Sequence, residues 1–305
     1  MVASSLRVIC GPTAAGKSAI AMRLCERHRS ATIVSADSRQ VYRGFDVGTA
    51  KPSAEERRRV PHEGIDIVEP TARYSASAWA MDAERWIASA ESTGHVPVIV
   101  GGTGFYLRAF FEPLFDAPPV DGGRRSALER ALGGLEVPEL RRWCVALDPA
   151  RAHLGRTQLL RSIETALLTG ERLSDLHRTR ARPPRRTARY LVVDPGPVLA
   201  RRIEARVHSM LDAGWVDEVR LLARTVPADA PAWNSTGYRT VRRLAAGEID
   251  RPTAAGLLTV ETRRYAKRQR TWFRHQLEAA HVTMVDPTRP DALELADRWW
   301  RGAGA

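Results

Sequence analysis

The octapeptide "GPTAAGKS", Gly11 to Ser18, follows the apolar run "LRVIC" and leads into a helical pattern. It matches G-x-x-x-x-G-K-[ST], and the strand–loop–helix setting is the one that pattern requires. The loop residues Gly11, Pro12, Thr13, Ala14, Ala15, Gly16, Lys17 and Ser18 wrap a phosphate, with backbone N–H groups of the loop and of the helix start aimed at its oxygens. Lys17 adds a point charge, and Ser18 offers a hydroxyl to Mg²⁺. The motif calls for a diphosphate or a triphosphate and does not specify a nucleotide.

Around this loop the chain reads as alternating strands and helices. Residues 6–10 form a buried strand and 17–29 a helix; "ATIVSAD" is a second strand ending at Asp37. "YSASAWAMDAERWIASAESTG" has Trp79 and Trp86 at helical spacing and stops at Gly94, and "VPVIVGGTG" is a third strand running into a glycine turn. This order predicts a parallel sheet with crossover helices, a P-loop NTPase-like α/β fold. Ligands bind at the carboxyl ends of such strands, where the phosphate loop, Asp37–Tyr42 and Gly101–Thr103 fall together. "DAPPVDGG" reads as an exit linker, 124–176 as mostly helical, "RTRARPPRRTAR" as a basic loop and "YLVVDP" as a strand returning to the first sheet. The expected organisation is a core of residues 1–117 and 189–305, with a mainly helical insertion over 118–188. From 197 onward only helical patterns are read.

A net charge of +12 and a pI near 10.5 over 305 residues fit a polyanionic partner, nucleic acid first. An Arg-rich composition without such a partner gives the same numbers, so charge alone leaves both readings open. Cys10, Cys25 and Cys144 are scattered and lack metal-ligand spacing. Neither a signal peptide nor an apolar run of about 18 residues is read, so a cytoplasmic protein away from membranes is expected.

Asp37 lies across the expected cleft from the phosphate loop, with Ser38, Arg39, Gln40 and Tyr42 close behind. Its carboxylate can take a proton from an attacking amine or hydroxyl; it can also hold a Mg²⁺-bound water or cap a helix. The amide of Gln40 suits the edge of adenine. Lys51, in "TAKP", meets a phosphate or is simply solvated. Thr103, on the glycine turn, meets a departing phosphate oxygen, caps the helix "FYLRAFF", or does both. The third strand ends without a carboxylate, which weakens an ATPase reading; Asp37 and Asp194 are the remaining metal-holding acids. Late in the chain, "ETRRYAKRQRTWFRHQ" carries Arg263, Arg264, Lys267, Arg268, Arg270 and Arg274 with Tyr265, Gln269, Trp272 and Phe273 among them. Such a surface neutralises phosphates and stacks on unpaired bases; the plainer version puts the aromatics in the core and leaves a solvated basic face.

The chain resembles the tRNA dimethylallyltransferases along nearly its whole length. That family's GPTASGKT, DSxQxYxxxDIGTAKP, VGGTGLY, RALEVxxxTG, RIExR, VGYRE and KRQxTWFR stand here as "GPTAAGKS", "DSRQVYRGFDVGTAKP", "VGGTGFY", "RSIETALLTG", "RIEAR", "TGYRT" and "KRQRTWFR". The resemblance implies that the loop holds the pyrophosphate of dimethylallyl diphosphate. The five-carbon group then moves to N6 of the adenosine 3′-adjacent to the anticodon, flipped into a channel. It implies Asp37 as base, with Lys17, Ser18 and its Mg²⁺, Thr103 and either Arg202 or Arg206 meeting the leaving charge. Asp37, Ser38, Arg39 and Gln40 would hold the target nucleotide. Gly237, Tyr238 and Arg239, with Lys267, Arg268, Gln269, Arg270, Trp272 and Arg274, would grip the anticodon stem-loop. Arg125, Gln158 and Arg161 would contact tRNA from the insertion.

Gln158 stands where the family has Arg, and Gly155-Arg156 where it has Asn-Asp; Arg156 is expected to restore the lost charge. Eukaryotic members carry a C-terminal zinc module that three cysteines do not supply, so the resemblance is to the bacterial type, and a monomer is expected. The alternatives are a P-loop kinase for a small metabolite, an RNA-binding NTPase, and an isopentenyltransferase acting on free AMP, ADP or ATP. The kinase leaves the basic helix, the Arg-rich insertion loop and the motif order unexplained, and the free-nucleotide enzyme needs neither the long insertion nor the basic helix.

Overall fold

The computed structural model describes residues 5–112, 120–179 and 186–302. The chain separates into two compact units, Met1–Phe111 with Arg186–Ala305, and Glu112–Arg185. In the first unit, β1 (Leu6–Cys10), α1 (Lys17–His28), β2 (Ala31–Ser35), α2 (Ala54–Arg59), β3 (His62–Glu63), α3 (Ala76–Ser92), β4 (Val96–Gly101) and α4 (Gly104–Phe111) precede the second unit. The second unit holds α5 (Gly122–Gly133), α6 (Val137–Leu147), α7 (Arg156–Thr169) and α8 (Leu173–Thr179). The first unit resumes with β5 (Ala188–Val193), α9 (Leu199–Asp212), α10 (Trp215–Thr225), α11 (Tyr238–Ala245), α12 (Arg251–Gln276), β6 (Val282–Val285) and α13 (Ala292–Arg301).

The six strands form one sheet in the order β3-β2-β4-β1-β5-β6, every pairing parallel. Strands covered by helices on both faces must be apolar throughout rather than alternating, and β1, β2 and β4 are almost wholly buried. Helix α1 buries Ile20, Ala21, Met22, Leu24 and Cys25 in a core shared with Ile9, Val98 and Leu191. On α3, Trp79 is fully buried and its indole N–H donates to Ser35 O at 2.9 Å. Burying an aromatic of this kind contributes about 1.5–3 kcal/mol, and the hydrogen bond removes the cost of its polar edge. The helical unit has its own core, built on Leu132, Leu140, Cys144, Leu159 and Ile163.

Strands β3 and β6 are absent from the sequence reading, and the expectation of helices alone after residue 197 is corrected by β6. Its four residues lie between two strong helical patterns and are too few to show a period. Parallel pairing with β5, from Tyr190↔Val282 to Val193↔Val285, makes them a strand. Of the expected exit linker, residues 116–119 lie outside the described residues; Asp121 then caps α5 by accepting from Arg124 N at 2.8 Å. Half of the basic stretch "RTRARPPRRTAR", residues 180–185, lies outside the described residues as well.

Gly11 has φ +141°, and a Cβ there would sit 2.2 Å from Val193 O. Only glycine lets the phosphate loop leave β1 this close to β5. The carboxyl ends of β1, β2, β4 and β5 thereby bring the loop, Asp37, Thr103 and Asp194 to one edge of the sheet.

Candidate active site

Helix α1 starts from Gly16 in a left-handed conformation, with no capping side chain and no acid in its first turn. Its leading N–H groups and positive dipole end are therefore arranged for an external anion. Lys17 Nζ lies across the loop and donates to Pro12 O at 2.7 Å. Burial pulls its pKa down to about 8, with Asp37 opposing the shift and Arg206 adding to it. Ser18 is exposed at the helix start.

A cavity of about 370 Å³ opens over this loop, lined among others by Lys17, Ser18, Asp37, Lys51, Arg206 and Gln269. A smaller chamber of about 70 Å³ adjoins it, with Ile203, Val207, Met210 and Trp215 in its wall. The two share Thr13, Asp37, Thr49, Arg206 and Tyr265. The carboxylate and one guanidinium thus stand where the chambers meet. Burial lowers the pKa of Arg206, and Asp37 counteracts it. Arg202, one helical turn earlier on α9, braces the loop instead: its Nε donates to Ala14 O at 3.0 Å. The structure so separates two arginines that the sequence leaves equivalent.

Asp37 sits just beyond β2 and accepts from Arg39 N at 2.9 Å through Oδ1, which orients the carboxylate. The Thr103 hydroxyl accepts from Ser38 N at 3.0 Å, so it ties the ends of β2 and β4 together. No capping bond from it to α4 is found among the described residues.

Several residues expected to touch RNA are used inside the protein. The amide of Gln40 donates to Thr49 O and Ala50 O and accepts from Ser35 Oγ at 3.0 Å. It holds its own loop and has no spare edge for a base. Tyr238 is fully buried, its hydroxyl donating to Glu218 at 2.7 Å. Glu218 also accepts from the backbone N–H groups of Asp46 and Val47, at 2.9 and 2.6 Å. Nothing in "WVDEV" distinguishes that glutamate from an ordinary surface acid, which is why sequence reasoning misses it. Arg270 is paired with Asp194 and donates to Gly196 O at 2.6 Å, so both carboxylate oxygens of Asp194 accept from the guanidinium. Gln269 is buried between the phosphate loop and the 101–103 turn. Lys267, Arg268 and Arg274 are exposed, as is Arg239, and Trp272 is half-buried. Gly237 starts α11 in a left-handed conformation.

Within the helical unit, Arg125 and Arg161 both face Glu164, at 3.5 and 3.8 Å. Burial, then Arg125, lowers the pKa of Arg161. Gln158 accepts from Gly155 N at 3.1 Å and so caps α7. The half-buried guanidinium of Arg156 donates to Leu135 O and Gly133 O, within its own unit.

Lys51, in the wall of the larger chamber, is not solvated but ion-paired within the protein. Its side chain is 2% exposed, with Nζ 2.6 Å from Asp46, 2.5 Å from Asp66 and 2.5 Å from Tyr42 O. Arg57 adds a 2.8 Å bond to Asp66. Burial alone would raise the Asp66 pKa; the bonds from Lys51 and Arg57 outweigh it and lower the value. The stabilisation is therefore present above the unfolded carboxylate range, about pH 4, and fades as pH falls through the folded value. Lys51→Met is expected to destabilise the protein by about 1–3 kcal/mol at neutral pH, a deficit that narrows on acidification. Thermal melts at neutral and acid pH check this; a constant deficit would remove the ion cluster as its cause.

The IPP transferase family model matches residues 40–276, and the isopentenyl transferase model matches residues 4–63. A tRNA dimethylallyltransferase of Geobacter metallireducens is 43% identical over 91% of this chain and 92% of its own. Its counterpart in Halorhodospira halophila is 42% identical, over the same shares. The crystal structure of a tRNA isopentenylpyrophosphate transferase from Bacillus halodurans superposes with a TM-score of 0.68 at 32% identity, covering 98% of this chain and 96% of that one. With a parallel sheet carrying the phosphate loop, Asp37 where two chambers meet, and relatives alike from end to end, this chain belongs to the IPP transferase family, that of the tRNA dimethylallyltransferases.

Proposed function

We propose that the protein transfers the dimethylallyl group of dimethylallyl diphosphate to N6 of the adenosine 3′-adjacent to the anticodon in tRNA, releasing pyrophosphate. The observation that carries this reading is the pair of adjoining chambers meeting at Asp37 and Arg206. The diphosphate occupies the larger one, against the loop and the start of α1. The N6 lone pair forms a bond to C1 of the donor as the C1–O bond breaks, and that electron pair leaves with pyrophosphate. The N6 proton goes to Asp37. Lys17 and Arg206 meet the charge that grows on the leaving group, inside a site where such contacts count most. Thr103 holds Ser38 and the β2 end in register and lies beside the leaving group.

The residues present fit Mg²⁺. Among the described residues no cluster of three or more His, Cys, Asp or Glu forms a metal cage. The exposed hydroxyl of Ser18 beside a diphosphate is the sparse, oxygen-only donor set this ion takes. Mg²⁺ bound there would neutralise charge on the pyrophosphate.

The exposed face of α12, with Arg264, Lys267, Arg268 and Trp272 lining a shallow groove, grips the anticodon arm, and the helical unit offers Arg125 and Arg161. Among the described residues no helix is long and apolar enough to cross a membrane, and the reading puts the enzyme in the cytoplasm, with its tRNA, as a monomer.

The test is transfer of label from radiolabelled dimethylallyl diphosphate, with Mg²⁺, to an unmodified tRNA with adenosines at and before the target position. AMP replaces tRNA in a parallel reaction. Label in tRNA supports the reading. Label in AMP alone would place the protein with enzymes that prenylate free nucleotides. Cleavage of ATP with no transfer would sink it. A pH series sharpens the test. Lys17 is cationic only below its pKa of about 8, so kcat/KM for the donor is expected to fall as pH rises through that value. A flat profile there would show that the Lys17 charge is not needed.

A further inference from the structure

Helix α12 presents cations outward and one amide inward. Gln269, 7% exposed, accepts from Thr13 N at 2.8 Å through Oε1 and donates from Nε2 to Gly102 O, also at 2.8 Å. Thr13 belongs to the phosphate loop, and Gly102 to the turn that carries Thr103. Trp272, on the same helix, covers that turn one residue further on: a Cβ on Gly104 would lie 2.3 Å from the indole. The two catalytic segments follow different strands, β1 and β4, and bond in register only as far as Cys10↔Gly101. Beyond that point the sheet no longer aligns them.

We propose that Gln269 is a positioning residue that sets the phosphate loop and the Thr103 turn at their working separation. Its amide is taken up by these two segments rather than by the RNA. A primary amide is the side chain for this task, since it carries an acceptor and a donor side by side on one rigid plane. The proposal rests on the transferase reading above. It replaces the sequence-based expectation that Gln269 contacts tRNA, because both ends of the amide are bound within the protein.

The experiment compares wild type with Gln269→Met and Gln269→Glu in the dimethylallyl-transfer assay, together with tRNA binding measured separately. Wild-type transfer first establishes the underlying reading. Its absence would sink that reading, independently of what Gln269 does. Gln269→Met keeps the length and loses both bonds. It is expected to lower kcat by about 10²-fold, the scale of an ångström-sized misplacement, and to leave the Kd for tRNA within about twofold. A tRNA Kd weakened tenfold or more, with kcat retained, would overturn the proposal in favour of direct RNA contact.

Gln269→Glu keeps shape and keeps the Thr13 bond, but its carboxylate faces the Gly102 carbonyl. Protonation restores the missing donor, so activity relative to wild type is expected to rise as pH falls through the titration of that carboxyl. This ratio decides the matter even if the methionine variant fails to fold. A ratio that stays flat with pH would overturn the proposal.

Discussion

Asp37→Asn is expected to lower the rate of transfer to tRNA by about 10²–10⁴-fold, the range of a general base, with Kd values for tRNA and donor little changed. The asparagine oxygen can still accept from Arg39 N, as Asp37 does at 2.9 Å, so the backbone past β2 stays in place. What disappears is the group that takes the N6 proton in the proposed mechanism. An exocyclic adenine amine is a poor nucleophile, and without that acceptor the attack must place positive charge on nitrogen beside Arg206. Single-turnover rates with saturating donor measure this step directly. An asparagine variant retaining more than a tenth of the wild-type rate would show that the proton leaves by another route.

Arg206→Ala is the second large expected effect, about 10²–10³-fold in kcat, with a smaller effect on donor binding. This half-buried guanidinium stands at the junction of the chambers, beside Asp37. Stabilisation of charge that develops as the C1–O bond breaks acts on the transition state more than on the bound donor. Arg202→Ala should behave differently. Its bond to Ala14 O shapes the loop that receives the diphosphate, so its removal is expected to raise the donor KM more than it lowers kcat. Steady-state kinetics of the two variants side by side check the assignment. Equal losses in kcat would contradict it.

Much of this arrangement is legible in the chain itself. The phosphate loop declares strand, turn and helix together, because only glycine-containing turns allow the backbone to pass Val193 so closely. Asp37, Lys17 and the 101–103 turn meet at one sheet edge because parallel strands must all end there. What sequence reasoning misreads are residues whose partners lie far away in the chain. Gln269 and Tyr238 sit in basic or polar motifs that look like an RNA-facing surface, yet Gln269 bonds to Gly102, 167 positions away, and Tyr238 is buried. Lys51 reads as either meeting a phosphate or solvated, because nothing local reveals that Asp46 and Asp66 close around it. Helical period tells which residues share a face; it does not tell what that face meets.

The adjoining chambers also have a kinetic meaning. On the proposed reading each reactant has its own compartment, and the wall the two share carries Asp37 and Arg206. Neither reactant has to vacate the site before the other arrives, and no nucleophile on the protein need carry the five-carbon group between them. That reading therefore expects a ternary complex, with initial-velocity lines that intersect rather than run parallel. Pyrophosphate and the modified RNA can then depart as separate events.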